Sequence, residues 1–171
     1  AEEVNALLDE KGIARDLMAE DAEKATSMAV NVINEDGEFI GVHYGDASKT
    51  LSVNDIDLEH ELFGRSQAVY FGGTAKQSLL FRDCAALFSE LNERNIKVFY
   101  DPNRFPAEEA FTDQLLLQSQ LANVEGYFPN EEELLQAMGK SSIDEALDIA
   151  IESGASFVAV KCSAKGCRIK T

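Results

Sequence analysis

Residues 68–100, AVYFGGTAKQSLLFRDCAALFSELNERNIKVFY, contain the pattern that sets the architecture. The apolar run 68–71 ends in two glycines and is typical of a strand buried on both faces. Thr74 is predicted to cap a helix in which apolar residues recur at spacings of three and four. That stripe consists of Leu79, Leu80, Cys84, Leu87, Phe88 and Leu91. A second apolar run at 96–100 follows, which indicates a strand, a crossover helix and a parallel strand.

The same alternation continues toward the C-terminus. Residues 110–121 carry helix spacing and 124–128 form an apolar run. Two further helices are predicted at about 131–138 and 143–153, then a strand at 157–160 and a turn at Lys165-Gly166. Strands that alternate with helices in this way predict an α/β fold, a parallel sheet with helices on both faces.

Toward the N-terminus the pattern differs. Val4, Leu7 and Leu8 suggest a short helix that stops at Gly12, and residues 27–33 alternate like a strand. Asn34-Glu35-Asp36-Gly37 is a strong hairpin turn signal, and the returning strand is predicted at 39–44. We therefore expect a leading helix and linker at 1–25, a β-hairpin at 26–50 and the sheet domain at 51–171.

Composition narrows the possible partners. The 171 residues are 45% hydrophobic, which is enough for a core, and carry a formal charge of −16. Such a charge disfavours nucleic acid and anionic membranes as partners. No apolar run reaches the roughly 18 residues of a membrane span, and the start lacks the features of an export signal. Three cysteines without a C-x-x-C pair fit a reduced, cytoplasmic protein.

Ligands of open α/β sheets bind beyond the carboxyl ends of the strands, so the residues that follow each apolar run are informative. Asp101, Asn103 and Arg104 follow the strand at 96–100. Asp-Pro-Asn alone is an ordinary turn, and Arg104 alone is a solvated charge. The guanidinium could instead hold a phosphate or carboxylate.

Asn130 and Glu133 follow the run at 124–128 with the spacing of a capping box, in which each side chain bonds the other residue's backbone N–H. Asn130 could also face a nucleotide phosphate, while Glu133 orients the water around Mg²⁺. The two roles are compatible.

Lys161, Ser163 and Gly166 follow the run at 157–160. They could form a plain hairpin turn with a lysine that reaches water. Alternatively, the backbone N–H groups of a small-residue loop, together with Lys161, could meet an anionic triphosphate.

These three segments occur in an order that resembles the ribokinase-like, or PfkB, family of carbohydrate kinases. Val98-Phe99-Tyr100-Asp101-Pro102-Asn103-Arg104 is similar to the family's D-x-N-x-R strand end, and Asn130-Glu131-Glu132-Glu133 to its N-x-x-E motif. Residues 158–167, VAVKCSAKGC, are similar to its V-x-V-K/T-x-G-x-x-G segment. The hairpin resembles the family's lid strands, which cover the sugar and often supply a dimer contact.

The resemblance implies a Rossmann-like, ribokinase-like sheet with a hairpin lid, and ATP-dependent phosphorylation of a hydroxyl on a sugar or related small molecule. It places Asn130, Lys161, Ser163 and Gly166 along the nucleotide, and Glu133 on Mg²⁺ through water. Asp101, Asn103 and Arg104 would border the sugar and phosphate. Two copies could pair through the lid hairpin as a homodimer.

The sequence departs from the family pattern in two places. Arg104 follows Asn103 directly, whereas the family has one residue between them, and Ser163 stands where the family has glycine. The family's Gly-Gly-Asn segment would precede Ala1, and its Gly-Ala-Gly-Asp segment, which carries the general base, would follow Thr171. We therefore expect the chain to be the middle portion of a sugar kinase, without a catalytic residue and inactive alone.

Two other hypotheses remain from the sequence. One is a noncatalytic binding or assembly module that keeps half of the kinase fold and pairs through its hairpin. The other is an unrelated Rossmann-like enzyme, which is disfavoured because neither G-x-G-x-x-G after a strand nor a P-loop motif occurs. The sequence does not identify the sugar, and ketohexose, ketodeoxygluconate, ribose and nucleosides all fit.

Overall fold

The computed structural model describes residues 2–37, 39–45, 47–74, 78–103 and 114–171. The helices are α1 (Glu2–Glu10), α2 (Ala47–Thr50), α3 (Glu61–Arg65), α4 (Ser78–Glu93), α5 (Gln114–Leu121), α6 (Glu131–Met138) and α7 (Ile143–Glu152). The strands are β1 (Met28–Ile33), β2 (Phe39–Tyr44), β3 (Ala68–Gly72), β4 (Lys97–Asp101), β5 (Gly126–Tyr127), β6 (Phe157–Lys161) and β7 (Cys167–Lys170). Short 3₁₀ turns lie at Val53–Asp55 and Ser163–Lys165.

Five strands form the main sheet, in the order β3-β4-β5-β6-β7. The pairs from β3 to β6 are parallel, and β7 returns antiparallel to β6. Each parallel connection contains helix and moves one position along the sheet. The predicted α/β class is confirmed, although the helices that follow β3, β4 and β5 lie on one face of the sheet rather than on both.

The helices that follow β3, β4 and β5 cover one face of the sheet, since right-handed crossovers that step in one direction place their helices on the same side. The residues that β4, β5 and β6 place on this face are fully buried: Val98, Tyr100, Tyr127, Val158 and Val160. In α4 the predicted stripe packs against them, except that Leu79 is 40% exposed and Phe81 is buried instead. Thr74 is predicted to cap this helix. Residues 75–77, which connect Thr74 to the helix, lie outside the described residues, so the cap role stays a prediction.

A chain of buried hydrogen bonds ties this core together. The Tyr100 hydroxyl donates to Oε1 of Gln120 at 2.8 Å, and Nε2 of Gln120 donates to the carbonyl of Phe81 at 2.6 Å. Since the single Tyr100 proton is used in this way, the Thr74 hydroxyl, 3.0 Å away, is the donor to Tyr100. Burial raises the pKa of Tyr100 well above its usual value, so the network stays neutral.

The opposite face carries aromatic side chains in one row. Tyr70, Phe99, Gly126 and Phe157 are aligned by the strand register. A Cβ on Gly126 would lie 2.6 Å from Phe157 and 2.9 Å from Phe99, so the glycine lets the two rings close over the sheet. Tyr70 is 61% exposed, because β3 is an edge strand of the described sheet. The expectation that 68–71 is buried on both faces is therefore wrong.

The hairpin forms a separate two-stranded antiparallel sheet, as predicted. Gly37, with a φ of 81°, donates its N–H to the carbonyl of Asn34 and closes the turn. The register pairs Met28 with Tyr44, Val30 with Val42, and Val32 with Ile40, which puts all six side chains on one face. That face is exposed: Ile40 is 75% and Val42 is 64% accessible.

Candidate functional site

The carboxyl ends of β4, β5 and β6 bring the three candidate segments together. Asp101 ends β4, Lys161 ends β6, and Asn130 follows β5 between them. The backbone N–H of Lys161 donates to the carbonyl of Pro129 at 2.9 Å, and Asn130 forms a parallel bridge with Lys161. Hence candidate residues distant in sequence converge at one edge of the sheet.

The Asp101 carboxylate is the centre of this edge. Its side chain is 13% exposed, and its Oδ2 accepts from the Lys161 ammonium at 2.6 Å and from the Tyr70 hydroxyl at 3.3 Å. Burial, and then the negative charge of Asp101, raise the pKa of Tyr70. The carboxylate thus connects β3, β4 and β6.

The Asp101-Pro102-Asn103 segment is a turn. The Asn103 N–H donates to Oδ1 of Asp101 at 3.2 Å, and Asn103 adopts a φ of 66°, a left-handed conformation that asparagine tolerates well. The predicted turn is confirmed, and the sugar-facing role of Asp101 and Asn103 stays a prediction. Arg104, the third predicted sugar contact, lies outside the described residues.

The capping box at the start of α6 is confirmed. The Glu133 N–H donates to Oδ1 of Asn130 at 2.8 Å, and the Asn130 N–H donates to Oε2 of Glu133 at 2.8 Å. Glu133 is 3% exposed, which is rare for a carboxylate. The cost of burying its charge is offset by the bond to the Asn130 N–H and by the positive end of the helix dipole. These bonds account for the spacing and do not test the magnesium role.

Tyr127 was not predicted from the sequence as a site residue. Its hydroxyl is buried and finds no hydrogen-bond partner among the described residues. Burial raises the pKa of Tyr127, and the charges of Glu133 and Asp101 raise it further. A buried, unpaired hydroxyl near two carboxylates is a place that ordered water commonly fills.

Residues 162–166 form the predicted turn between β6 and β7. The Cys162 N–H donates to the carbonyl of Gly166 at 2.8 Å, and the Gly166 N–H to that of Ser163 at 3.1 Å. Gly166 adopts φ 90° and ψ −131°, a backbone conformation that residues other than glycine disfavour. The constraint is conformational, because a Cβ there would meet nothing within 4 Å. Ser163 has a φ of 49°, so the position at which the family has glycine requires a left-handed backbone. Both residues are exposed at this turn.

An open pocket of about 480 Å³ lies beside these residues. It is lined by Ala68, Val69, Tyr70, Phe99, Asp101, Phe128 and Lys161. Its apolar walls combine the aromatic rings of Tyr70, Phe99 and Phe128 with aliphatic side chains, and its polar groups are the Asp101–Lys161 ion pair and the Tyr70 hydroxyl. Sequence reasoning missed the aromatic members, because strand register alone brings Tyr70 and Phe99 beside Asp101.

Other candidate chemistry is limited. Within the described ranges no group of three or more His, Cys, Asp and Glu side chains is placed to hold a metal ion directly. All three cysteines are free: Cys84 and Cys162 are buried, and Cys167 is exposed. Burial raises the pKa of Cys84 to about 12, so this thiol is a poor nucleophile. No helix in the described part of the chain combines the length and apolar character needed to cross a bilayer.

Solved structures share this fold. A PfkB protein from Polaromonas sp. JS666 superposes with a TM-score of 0.80 at 19% identity, over 98% of this chain and 58% of that one. Ribokinase from Giardia lamblia gives 0.77 at 19% identity, over 98% of this chain and 51% of the other. A fructokinase double mutant from Vibrio cholerae O395, with fructose, ADP and potassium ion bound, gives 0.71 at 20% identity, over 99% and 55%.

At these identities the structural likeness establishes the fold alone, and this chain spans a little over half the length of those proteins. No curated protein matches the sequence. The pfkB family of carbohydrate kinases, however, matches residues 1–171. Because that match extends over the sheet, the hairpin and all three site segments, the chain belongs to the pfkB family of carbohydrate kinases.

Proposed function

We propose that the protein transfers the γ-phosphoryl group of ATP to a hydroxyl of a sugar or related small molecule. The observation that carries the proposal is the convergence of Asp101, Asn130 and Lys161 at one sheet edge of a pfkB-family fold. Among the structural neighbours, one fructokinase holds ATP and another holds fructose and ADP, which supports this ligand class.

The nucleotide would lie along Asn130, Lys161, Ser163 and Gly166. Lys161 is 51% exposed, so its ammonium is accessible to a phosphate. The turn at Ser163–Lys165 exposes backbone next to it, and Lys165 adds a second cation. Local cations are needed here, because a chain of charge −16 otherwise repels a triphosphate.

Magnesium would be held through water by Glu133 rather than by a cage of protein ligands. The residues fit such a role: Glu133 is a buried carboxylate, and its charge acts on the buried Tyr127 hydroxyl, which has no hydrogen-bond partner in the described part of the chain. Mg²⁺ keeps much of its hydration shell and is commonly held by one carboxylate together with phosphates. When bound, the ion supplies charge neutralisation for the phosphates.

Asn103 and Arg104 would border the sugar, next to the Asp101 carboxylate. We assign none of the described residues as the general base, and the contribution of this region would be positioning and charge neutralisation. The acceptor would be one of the hydroxyl compounds that the sequence leaves open: a ketohexose, ketodeoxygluconate, ribose or a nucleoside.

The test compares Lys161, at the end of β6, with Lys97, at the start of β4. Protein from the full reading frame is assayed for ADP formation with Mg²⁺ and a panel of ketohexoses, ketodeoxygluconate, ribose and nucleosides. Lys161→Ala should raise KM for ATP about tenfold, the loss of one charge-assisted bond to phosphate. Lys97→Ala, which removes a lysine at the opposite end of β4, should leave it unchanged. An unchanged KM for Lys161→Ala would remove this residue from the nucleotide site.

A second candidate function is favoured by the hairpin. Its exposed apolar face is unusual for an isolated surface and suits burial against another protein surface. We propose that a second copy of the chain covers it, which gives a homodimer that is compatible with catalysis. If no ATP is bound, the same surface supports the noncatalytic assembly module instead.

We also propose that the protein works in the cytoplasm. The support is the free state of Cys84, Cys162 and Cys167, which is usual in a reducing compartment.

A further inference from the structure

The Asp101–Lys161 pair joins strands that are not neighbours in the sheet. Asp101 ends β4 and Lys161 ends β6, with β5 between them. The chain continues between them after β5, where the Phe128 N–H donates to the Tyr100 carbonyl and Asn130 bridges Lys161, so the side chains of Asp101 and Lys161 meet across this segment. Their contact, 2.6 Å from Nζ to Oδ2, therefore lies between the proposed sugar side and the proposed nucleotide side.

The Asp101 carboxylate is occupied by protein donors. Oδ1 accepts the N–H of Asn103, and Oδ2 accepts from both Lys161 and the Tyr70 hydroxyl. These three contacts use most of the acceptor capacity of a carboxylate whose side chain is only 13% exposed. A sugar hydroxyl would have to displace one of them.

Lys161 differs in this respect. An ammonium has three N–H donors, and one of them goes to Asp101. The side chain is 51% exposed, so the other donors can face solvent or an anion. The fixed carboxylate thus holds a flexible lysine in one place while leaving it able to bind.

We propose that Asp101 is a positioning residue for the nucleotide, which acts by fixing the ammonium of Lys161 and does not itself bind the sugar. This inference rests on the proposed nucleotide role of Lys161. It assigns to Asp101 a different task from the sugar contact that the sequence predicts. Tyr70, in β3, contributes to the same positioning, since its hydroxyl donates to the Asp101 carboxylate.

The direction in which Asp101→Asn changes ATP affinity distinguishes a positioning role from a simple charge effect. Removing the negative charge of Asp101 would by itself favour an anionic ligand. If Asp101 positions Lys161, Asp101→Asn instead weakens ATP binding. The lysine side chain is then mobile in the free protein and loses more conformational freedom when ATP binds.

The experiment measures ATP binding to protein from the full reading frame by calorimetry with Mg²⁺ present. Asp101→Asn should raise the dissociation constant about fivefold to tenfold. In a Lys161→Met background the same change should cause no further weakening, because the residue that Asp101 positions is gone. The matched control is Glu125→Gln, which breaks the 2.8 Å Lys97–Glu125 pair between β4 and the segment before β5 and should leave ATP affinity unchanged.

A second readout does not depend on ATP. Brief labelling with an amine-reactive reagent, read by mass spectrometry, should modify Lys161 faster in Asp101→Asn than in the wild type, with folding checked by circular dichroism. Unchanged labelling of Lys161 would refute the ion pair and overturn the inference. Unchanged or tighter ATP binding by Asp101→Asn would overturn it while leaving the proposed kinase function intact. Absence of ATP binding by the wild type would overturn both.

Discussion

Glu133 shows how one residue can serve both the fold and a ligand. Its Oε2 caps the backbone of Asn130, and its burial leaves little contact with bulk water. A cap needs only an acceptor, whereas ordering water around Mg²⁺ needs a negative charge. The two roles can therefore be separated by a substitution that keeps the acceptor and removes the charge.

Glu133→Gln is expected to preserve folding and weaken magnesium-dependent chemistry. The amide oxygen can still accept from Asn130, so the free energy of unfolding should change by about 1 kcal/mol or less. The Mg²⁺-dependent part of ATP affinity should fall about tenfold. The measurements are urea unfolding and calorimetric titration of ATP with and without Mg²⁺.

The chain contains a matched control for this change. The Ser52 N–H donates to Oδ2 of Asp55 at 2.8 Å in a second capping box, which starts the 3₁₀ turn at Val53–Asp55. Asp55→Asn should alter stability to a similar extent and leave the magnesium effect unchanged. If Glu133→Gln also leaves the magnesium effect unchanged, Glu133 is a cap alone.

At the scale of elements, the β1–β2 hairpin is amphipathic and its apolar face is exposed. Val30 and Val42 face each other across the two strands and are 49% and 64% accessible. Asn31, one residue along β1, points to the opposite face because side chains alternate along a strand. The two faces of one hairpin can thus be tested separately.

Val42→Asp should convert a dimer to a monomer with little loss of thermal stability, because the side chain is exposed within the single chain. The measurement is molar mass by light scattering over a range of protein concentrations. Asn31→Asp adds the same charge on the other face and should leave the dimer intact. A wild-type chain that is monomeric at every concentration would contradict pairing through the hairpin.

At the scale of the whole molecule, charge opposes compactness. The formal charge is −16, and ion pairs such as Arg94 with Glu59 and Glu90 offset it only locally. These two carboxylates raise the pKa of the Arg94 guanidinium, so it stays charged. The remaining acidic side chains repel one another over distances at which added salt screens the repulsion.

Thermal stability should therefore increase with sodium chloride. Raising ionic strength from about 0.01 M to 0.15 M shortens the Debye length from about 30 Å to 8 Å. A gain of about 1 kcal/mol would raise the melting midpoint by about 3 °C. The control is Glu152→Gln at the C-terminal end of α7, where an acid opposes the helix dipole. This variant should melt higher at low salt and gain less from added salt, whereas a midpoint that falls with salt would contradict the prediction.

Prediction from sequence succeeded where the determinants are local. The spacing of apolar residues indicated α4, and the three-residue separation of Asn130 and Glu133 indicated their mutual capping bonds. It also indicated a strand at 124–128, which contains β5 at Gly126–Tyr127 and makes backbone hydrogen bonds to its neighbours from Val124 through Phe128. The exposure of Tyr70 was missed, because an apolar run does not show whether its strand lies in the middle or at the edge of a sheet.

The sequence by itself determined the α/β order, the hairpin, the turns and the identity of the polar residues after each strand, since these depend on contacts within a few residues. Only the tertiary structure decided that Asp101 bonds Lys161, sixty residues along the chain, and that Tyr70 joins them from β3. The physical reason is that strand order and register fix which side chains meet at the sheet edge, and both arise from packing of the whole core. The chemistry of the site is thus encoded in residue types, while its geometry belongs to the fold.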